Sequence, residues 1–263
     1  ILSFLLLLYQ KSRHIPFMST FILQLHRKDY AYLFNIKKEE VALSQEEWEK
    51  SPDKFKVLND NLDLSHYNNL DNIVLPKYIS GNLNLSSLSN ANGIVFPQQV
   101  GGDLELNKLT NAEGLVLPES IGGSILLFSI ANAKGLVLPK SIGDDIILDS
   151  ITNAEGLVLP KSIGGDISLD SITNVEGLVL PESIGGDIYL GALTNAEGLV
   201  LPKYVGRNIG LYSLTNAEGL VLPHYFDLNK LYCPYNIKEE IMNNPDKYYM
   251  KPPTEEDKKG IKR

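Results

Sequence analysis

Residues 151–167 read ITNAEGLVLPKSIGGDI, and residues 172–188 repeat them with two changes as ITNVEGLVLPESIGGDI. A proline marks the same point in every copy and returns every 21 residues. These prolines are Pro76, Pro97, Pro118, Pro139, Pro160, Pro181, Pro202 and Pro223. Because the eight copies follow one another with no insertion, each copy must form one turn of a common coil. The sequence therefore predicts a repeat solenoid of about eight 21-residue coils.

Each coil divides into an extended segment and two corners. Polar and apolar residues alternate from Asp166 to Leu169, which is typical of a β-strand. Gly164 and Gly165 come just before this strand and predict one corner. Gly156 predicts a second corner, where a side chain would clash or a positive φ is needed. Stacking the coils predicts a parallel sheet along one side, with an interior of leucine and isoleucine shared between neighbours.

Asparagine occupies the most regular polar position of the repeat. A catalytic site requires one set of residues rather than eight copies, so we predict a structural role. Asparagines stacked coil over coil can bond to each other and to turn backbone groups that would otherwise be unpaired. This predicted asparagine ladder comprises Asn69, Asn90, Asn111, Asn132, Asn153, Asn174, Asn195 and Asn216.

Valine occupies another unbroken column. If Leu178 and Leu180 point inward on an extended segment, Val179 between them points outward, and the column forms an apolar stripe suited to self-association. An irregular turn would instead bury the valines in part, and this interpretation is favoured. The oligomeric state stays open. The column comprises Val74, Val95, Val116, Val137, Val158, Val179, Val200 and Val221.

The chain outside the array predicts end caps and a tail. Residues 1–17 are an apolar N-terminal stretch, interpreted as upstream read-through or as part of a truncated signal. Residues 18–61 predict an N-terminal helical cap, and residues 62–226 form the repeat solenoid. Residues 227–250 predict a C-terminal cap. Residues 251–263 are charged, lack apolar periodicity and predict a disordered tail.

Two short motifs support helices in these caps. Ser44 and Glu47 have the spacing of a capping box, in which each side chain bonds the backbone N–H of the other residue. Asn236 and Glu239 offer a variant of the same device after the last repeat. Short helices therefore complete the predicted fold at both ends.

The repeat resembles the leucine-rich repeat family in its bacterial, 21-residue type. The run L-P-x-S-I-G is followed by an apolar-x-Leu strand and then by asparagine, and the resemblance covers residues 62–223. It implies a parallel-sheet horseshoe whose strand face binds ligands. Two features depart from the family pattern: Ile163 to Ile167 is one residue longer than its first spacing, and the asparagine comes two residues late. Leucine or isoleucine fills the family's asparagine slot, as in Ile172. A related β-solenoid with two strands per coil is the alternative.

Composition narrows the function. The 263 residues carry 32 carboxylates against 24 Lys and Arg, a net charge of −8 that argues against nucleic-acid binding. The apolar run at residues 1–8 is too short to span a membrane. Cys233 is the only cysteine, and the four histidines share no spacing suited to a metal site or a catalytic triad. We therefore expect no enzyme activity, no cofactor and no metal. A cytoplasmic location is favoured, and secretion would follow if residues 1–17 belong to a signal.

Functional residues are expected at positions where the copies differ, because the residues common to all copies are needed for the fold. The outward positions of each strand and the residues after it vary from coil to coil. Leu126, Phe128 and Ile147 predict an exposed apolar patch, with Asp149 and Asp170 beside it. The predicted partner-binding residues are Glu105, Leu126, Phe128, Ile147, Asp149, Asp170, Tyr189 and Tyr212. We predict a non-enzymatic module that presents this sheet face to a protein partner. The alternative is a structural or surface repeat protein that acts as a rigid spacer.

Overall fold

Two parallel β-ladders run the length of the array. The computed structural model describes residues 57–58, 61–70, 73 and 75–251. Ladder 1 consists of the two-residue strands that precede each glycine corner. Their bounds are Val57–Leu58, Tyr78–Ile79, Gln99–Val100, Ser120–Ile121, Ser141–Ile142, Ser162–Ile163, Ser183–Ile184 and Tyr204–Val205. Ladder 2 consists of the two-residue strands that follow each corner. Their bounds are Leu62–Asp63, Leu83–Asn84, Leu104–Glu105, Ile125–Leu126, Ile146–Ile147, Ile167–Ser168, Ile188–Tyr189, Ile209–Gly210 and Leu231–Tyr232.

The chain is a β-solenoid of about eight coils, as the sequence predicts. Strands pair in parallel with their equivalents one coil away, so that Ile146 lies opposite Ile167 and Ser183 opposite Tyr204. The predicted strand at residues 166–169 contains the observed strand Ile167–Ser168. Two strands per coil match the β-solenoid alternative. Ladder 2 is one nine-stranded sheet, whereas ladder 1 divides into a five-stranded and a three-stranded sheet.

A column of glycines at the first corner sets the distance between coils. The backbone N–H of Gly185 donates to the carbonyl of Ile163 at 3.0 Å, and that of Gly206 donates to Ile184 at 2.9 Å. A Cβ placed on Gly185 would overlap the carbonyl of Gly164, and the same overlap recurs along the column. No side chain therefore fits at this corner unless the coils separate. The column comprises Gly101, Gly122, Gly143, Gly164, Gly185 and Gly206.

The second corner needs glycine for a different reason. Gly156 has a φ of 80°, in the left-handed region that residues with a Cβ rarely adopt. This positive φ confirms the predicted second corner and recurs in every described copy. The equivalent residues are Gly93, Gly114, Gly135, Gly177, Gly198 and Gly219.

The interior is a continuous apolar core. Ile167, Leu169, Ile172 and Ile184 are fully buried, as predicted. Leu178 and Leu180 are also predicted to lie inside, but they are only partly buried. Leu117 and Leu159, at the position of Leu180 in two other coils, are partly buried as well, so this position lies near the edge of the core. The coil of Leu178 carries Val175 where its neighbours carry a fully buried alanine such as Ala154.

The valine column points into solvent. Val116 is 74% exposed and Val158 is 58% exposed, so the favoured expectation of partial burial is wrong. The segment is extended, and Val137 and Val158 form a parallel β-bridge between neighbouring coils. Because side chains alternate along an extended chain, the buried flanking leucines force the valine outward.

The C-terminal end of the core is covered by a strand and two short helices. A 3₁₀ turn at Leu228–Lys230 leads into the last strand of ladder 2, followed by α1 (Tyr235–Asn243) and α2 (Pro245–Tyr248). Ile237, Ile241 and Tyr248 are buried against the last coil. The backbone N–H of Leu222 donates to the carbonyl of Tyr248 at 2.6 Å, which adds a bridge beside the valine column.

The start of the C-terminal helix differs from the sequence prediction. Helix α1 begins at Tyr235 after Pro234, and no side chain caps it. Asn236 therefore lies inside the helix, so the proposed Asn236–Glu239 capping device is wrong. Proline is favourable at such a start because its missing N–H would have no partner within the helix. The Ser44–Glu47 capping box, residues 1–17, most of the predicted N-terminal cap and residues 252–263 lie outside the described residues.

Replacing a corner glycine tests the spacing constraint. We expect Gly185→Ala to lower the stability of the array by about 2 kcal/mol, because the added methyl must push two coils apart. Ser162→Ala, an exposed ladder 1 substitution in the preceding coil, should change stability by less than about 0.5 kcal/mol. Urea unfolding followed by circular dichroism measures both. Equal midpoints for the two variants would contradict the constraint.

Candidate functional site

A column of Asp, Asn and Ser stacks where ladder 2 begins. From Asn82 to Asp187, a side-chain oxygen accepts a hydrogen bond from the backbone N–H of the same column in the next coil. The N–H of Asp187 reaches Oδ1 of Asp166 at 2.7 Å, and the N–H of Asn208 reaches Oδ1 of Asp187 at 2.6 Å. This corner column fixes one edge of ladder 2. It comprises Asn82, Asp103, Ser124, Asp145, Asp166, Asp187 and Asn208.

The predicted asparagine column has a different geometry. Oδ1 of Asn111 accepts from the backbone N–H of Glu113 at 2.8 Å, two residues along the same coil. The same turn recurs at Asn90, Asn132, Asn153, Asn174, Asn195 and Asn216. Among residues 75–251 no hydrogen bond joins one of these asparagines to another. The predicted bonding to turn backbone is present there, and the coil-to-coil ladder is formed by the corner column instead.

All eight predicted binding residues lie on the outward side of ladder 2. Glu105, Leu126, Ile147 and Tyr189 occupy the second position of their strands. The other four, Phe128, Asp149, Asp170 and Tyr212, follow their strands by two residues. Neighbouring strands lie about 4.8 Å apart, so these side chains share one continuous surface. We call these eight residues together with Tyr232 the strand face.

The C-terminal part of the strand face is aromatic. Tyr212 is 54% exposed and its ring centroid lies 6.3 Å from that of Tyr232. The Tyr212 ring lies over Gly210, where an added Cβ would be only 2.8 Å from a ring carbon. Glycine at this point of the strand therefore makes room for the tyrosine. Sequence reasoning missed Tyr232, because the last strand is offset by 22 residues from its neighbour rather than 21.

The central part of the strand face is apolar. Phe128 is 40% exposed, and Leu126 and Ile147 beside it are half-buried. Hydroxyl groups hold the backbone that follows these strands. Ser150 Oγ donates to the carbonyl of Phe128, which ties the phenylalanine to the next coil. The apolar residues are thus carried on a backbone that is fixed on both sides.

The polar groups of the strand face are also held in place. Ser168 Oγ donates to Asp149, and the backbone N–H of Gly191 donates to Asp170 at 2.8 Å. The hydroxyl of Tyr189 donates to Asp187 of the corner column at 2.7 Å. This bond, together with partial burial, raises the pKa of Tyr189 well above its ordinary value. The phenol therefore stays protonated and anchored at neutral pH.

Glu105 carries an unfavourable charge at the N-terminal end of the strand face. Burial raises the pKa of the Glu105 carboxyl above its ordinary value of 4.5, and the neighbouring charges of Asp103 and Asp63 raise it further. The strand register places Glu105 directly between Asn84 and Leu126, with no cation opposite. No positive charge on the two neighbouring strand positions offsets the cost of ionising Glu105.

A second surface, missed by sequence reasoning, lies along ladder 1. A shallow groove of about 600 Å³ runs over four neighbouring strands of this ladder, lined among others by Tyr78, Gln99, Ser120 and Ser141. At one end of the groove the hydroxyl of Tyr78 donates to the side-chain carbonyl of Gln98 at 2.7 Å.

Neither a metal centre nor a membrane-spanning helix is found in the part of the chain that the structure describes. No group of three or more His, Cys, Asp or Glu side chains is placed to hold a metal ion there. The helices described are too short or too polar to cross a membrane. In comparisons with known proteins, no family model, no curated protein and no solved structure matches this chain.

The charge of Glu105 makes stability depend on pH. A carboxyl whose pKa is raised by folding binds its proton more tightly in the folded state. Stability is therefore lost as the pH rises from about 4.5 through the raised pKa, and the loss persists above it. We expect Glu105→Gln to have a higher unfolding midpoint than wild type at pH 7, and the gain to vanish below pH 4.5.

Thermal unfolding across this pH range measures the effect. Glu113→Gln, which removes a carboxylate from an exposed turn, serves as the control for loss of charge alone. A gain of Glu105→Gln that is the same at every pH would contradict this account.

Proposed function

We propose that this protein is a non-enzymatic binding module that holds a protein partner on its strand face. One observation carries the proposal. Phe128, Tyr212 and Tyr232 are exposed on a rigid backbone ladder, beside carboxylates whose positions are fixed by hydrogen bonds. Tyrosine and other large aromatic residues dominate the binding energy of many protein interfaces.

Rigidity favours binding through this surface. Each strand of ladder 2 between its two end strands is bonded to both neighbours, and the hydrogen bond from Leu169 N–H to the Tyr189 carbonyl at 2.9 Å is typical of the ladder. Tyr212 rests on Gly210, so little of its rotational freedom remains to be lost on binding. Side chains that are already ordered cost less entropy when a partner docks.

The charges of the strand face favour a basic partner. Asp149 and Asp170 stand beside the aromatic and apolar groups, and no Lys or Arg belongs to the strand face as defined. A partner with apolar residues at its centre and Lys or Arg at its rim would complement this pattern. The same charges disfavour a phosphate backbone, which supports the exclusion of nucleic acid.

The resemblance of the repeat to leucine-rich repeats supports the same choice of surface. Proteins of that family bind ligands on the matching strand face. The resemblance rests on the sequence pattern, and the binding role that it implies is part of this proposal.

The chemistry of the single thiol supports a non-enzymatic role. Burial raises the pKa of Cys233 above its ordinary value, so the nucleophilic thiolate is disfavoured at neutral pH. Cys233 lies after the last strand, next to Pro234 at the start of α1. No histidine bonds to it in the described residues.

Site-specific photocrosslinking tests the proposal. A benzoylphenylalanine in place of Phe128 should trap a defined partner in cells, and the same residue in place of Ser162 on ladder 1 should not. Phe128→Ala combined with Tyr212→Ala should weaken capture at least about tenfold, the loss expected for aromatic anchors. Asp149→Asn with Asp170→Asn keeps the acceptor oxygens, and should weaken capture of a basic partner less.

Other outcomes identify the alternatives. Crosslinking from residue 162 alone would move the binding site to ladder 1. A rigid spacer is supported by ladder 2, which continues without a break from Leu62 to Tyr232. Removal of two central coils, residues 127–168, should abolish function of a binding face that includes Phe128 and Asp149. Intact function after this deletion, with no crosslinked partner, would support the spacer.

A further inference from the structure

The valine column is an unbroken apolar row on the outside of the solenoid. The exposed fractions of its described members are 67% for Val95, 74% for Val116, 63% for Val137, 58% for Val158, 73% for Val179, 72% for Val200 and 38% for Val221. Successive valines are one coil apart, so the seven span about 29 Å. Scattered exposed apolar residues are common, but a contiguous row of this length marks a contact surface.

The fold does not require valine at this column. The side chain points away from the core, and any residue compatible with extended backbone could occupy the position. The residue type varies in other outward-facing columns. The first position of the ladder 1 strands, for example, is Gln99, Ser120 or Tyr204 in different coils. Every repeat nevertheless carries valine here. The identity of the column is therefore unexplained by packing within one chain.

We propose that the valine column is a self-association surface on which a second copy of this chain docks. A row of identical side chains repeated every 4.8 Å is matched at every level only by a partner with the same repeat. Globular proteins do not present such a row, whereas a second solenoid of this sequence presents it by construction. Contact between identical patches also forms a closed dimer with two-fold symmetry.

The flanking charges select the orientation. On one side of the valines runs an acidic column with five glutamates and one lysine, a net charge of −4. Its members are Glu113, Lys134, Glu155, Glu176, Glu197 and Glu218. On the other side runs a mixed column with three lysines and two glutamates, a net charge of +1. Its members are Glu119, Lys140, Lys161, Glu182 and Lys203.

A two-fold axis parallel to the valine column places the acidic column of each copy against the mixed column of the other, with each coil level with the same coil of the second copy. Glu113 then faces Glu119, Lys134 faces Lys140 and Glu176 faces Glu182, so like charges outnumber opposite charges.

A two-fold axis across the column at Val158 instead pairs Lys134 with Glu176, Glu119 with Lys203 and Lys140 with Glu182, so opposite charges outnumber like charges. Because like charges facing each other oppose association, the antiparallel arrangement is favoured.

The size of the surface predicts a weak dimer. After the corner at Gly114, the segment from Leu115 to Glu119 spans about 13 Å across the column, so the footprint is about 400 Å² per copy. The pair buries about 800 Å², below the range of stable specific interfaces. We therefore expect a dissociation constant in the high micromolar range.

Sedimentation of the full chain tests the proposal. The mass of the wild type should rise from monomer towards dimer between about 5 and 500 µM. Val158→Lys with Val179→Lys should remain monomeric, because two charges are buried without partners at the centre of the row. Phe128→Lys on the strand face is the matched control and should dimerise as the wild type does.

Two results would overturn the proposal: a wild type that stays monomeric at the highest concentration, or a double lysine variant that dimerises with unchanged affinity. Val158→Thr with Val179→Thr keeps the branched shape and covers the case in which lysine prevents folding. It should weaken dimerisation several-fold, and an unchanged dimer would likewise count against the valine column.

Single cysteines test the orientation. In a Cys233→Ser background, Val116→Cys and Val200→Cys chains should form a disulfide between copies only when the two are mixed, because the antiparallel arrangement brings residue 116 level with residue 200. In the parallel arrangement residue 116 lies level with itself. A disulfide formed by Val116→Cys chains alone would overturn the antiparallel arrangement.

Discussion

Backbone contact between neighbouring coils at the glycine corner is the constraint on which this structure depends. Gly185 donates its N–H to Ile163 at 3.0 Å, and its Cα lies so close to the carbonyl of Gly164 that no Cβ fits between them. The same spacing is required on ladder 2, where Ile167 N–H reaches the carbonyl of Asp187 at 2.9 Å. From Gly101 to Gly206 each coil therefore supplies the glycine, the short strands and the apolar interior again, whereas the coil before them has Ser80 at this corner. Repetition of the sequence is the direct consequence.

The same constraint separates positions that serve the fold from positions that are free to serve function. Interior residues such as Ile167 and Leu169 are fully buried, and corner residues such as Asp166 bond the next coil. The outward positions of ladder 2 neither fill the core nor bond the corner of the next coil. Their residues therefore differ from coil to coil, as Leu126, Phe128 and Tyr189 do. A regular scaffold thus displays an irregular surface. The proposed binding face and the proposed self-association surface lie on different columns, so one copy can use both.

Much of the fold follows from the sequence because its signals are local or periodic. The 21-residue period predicts the solenoid. Gly156 predicts a corner from the sequence of a single coil, and its positive φ confirms that corner. Ladder 1 is not predicted from the sequence, because its strands are two residues long and four of the eight pair a serine with one apolar residue. The hydrogen bonds of the corner column are not predicted either, since Asp166 bonds a residue 21 positions away. Leu178 and Leu180 show a further limit: the repeat pattern predicts them inside, yet both are only partly buried, as are Leu117 and Leu159.

Equal spacing of the coils on both ladders is the central claim, and distances between spin labels test it most directly. Labels in place of Gln99 and Tyr204 report five coils of ladder 1, and labels in place of Asn84 and Tyr189 report five coils of ladder 2, each in a Cys233→Ser background. The account predicts a separation of about 24 Å between the labelled backbone positions of both pairs. A separation several ångströms longer on one ladder than on the other would mean that the array curves like a horseshoe, and would contradict the account.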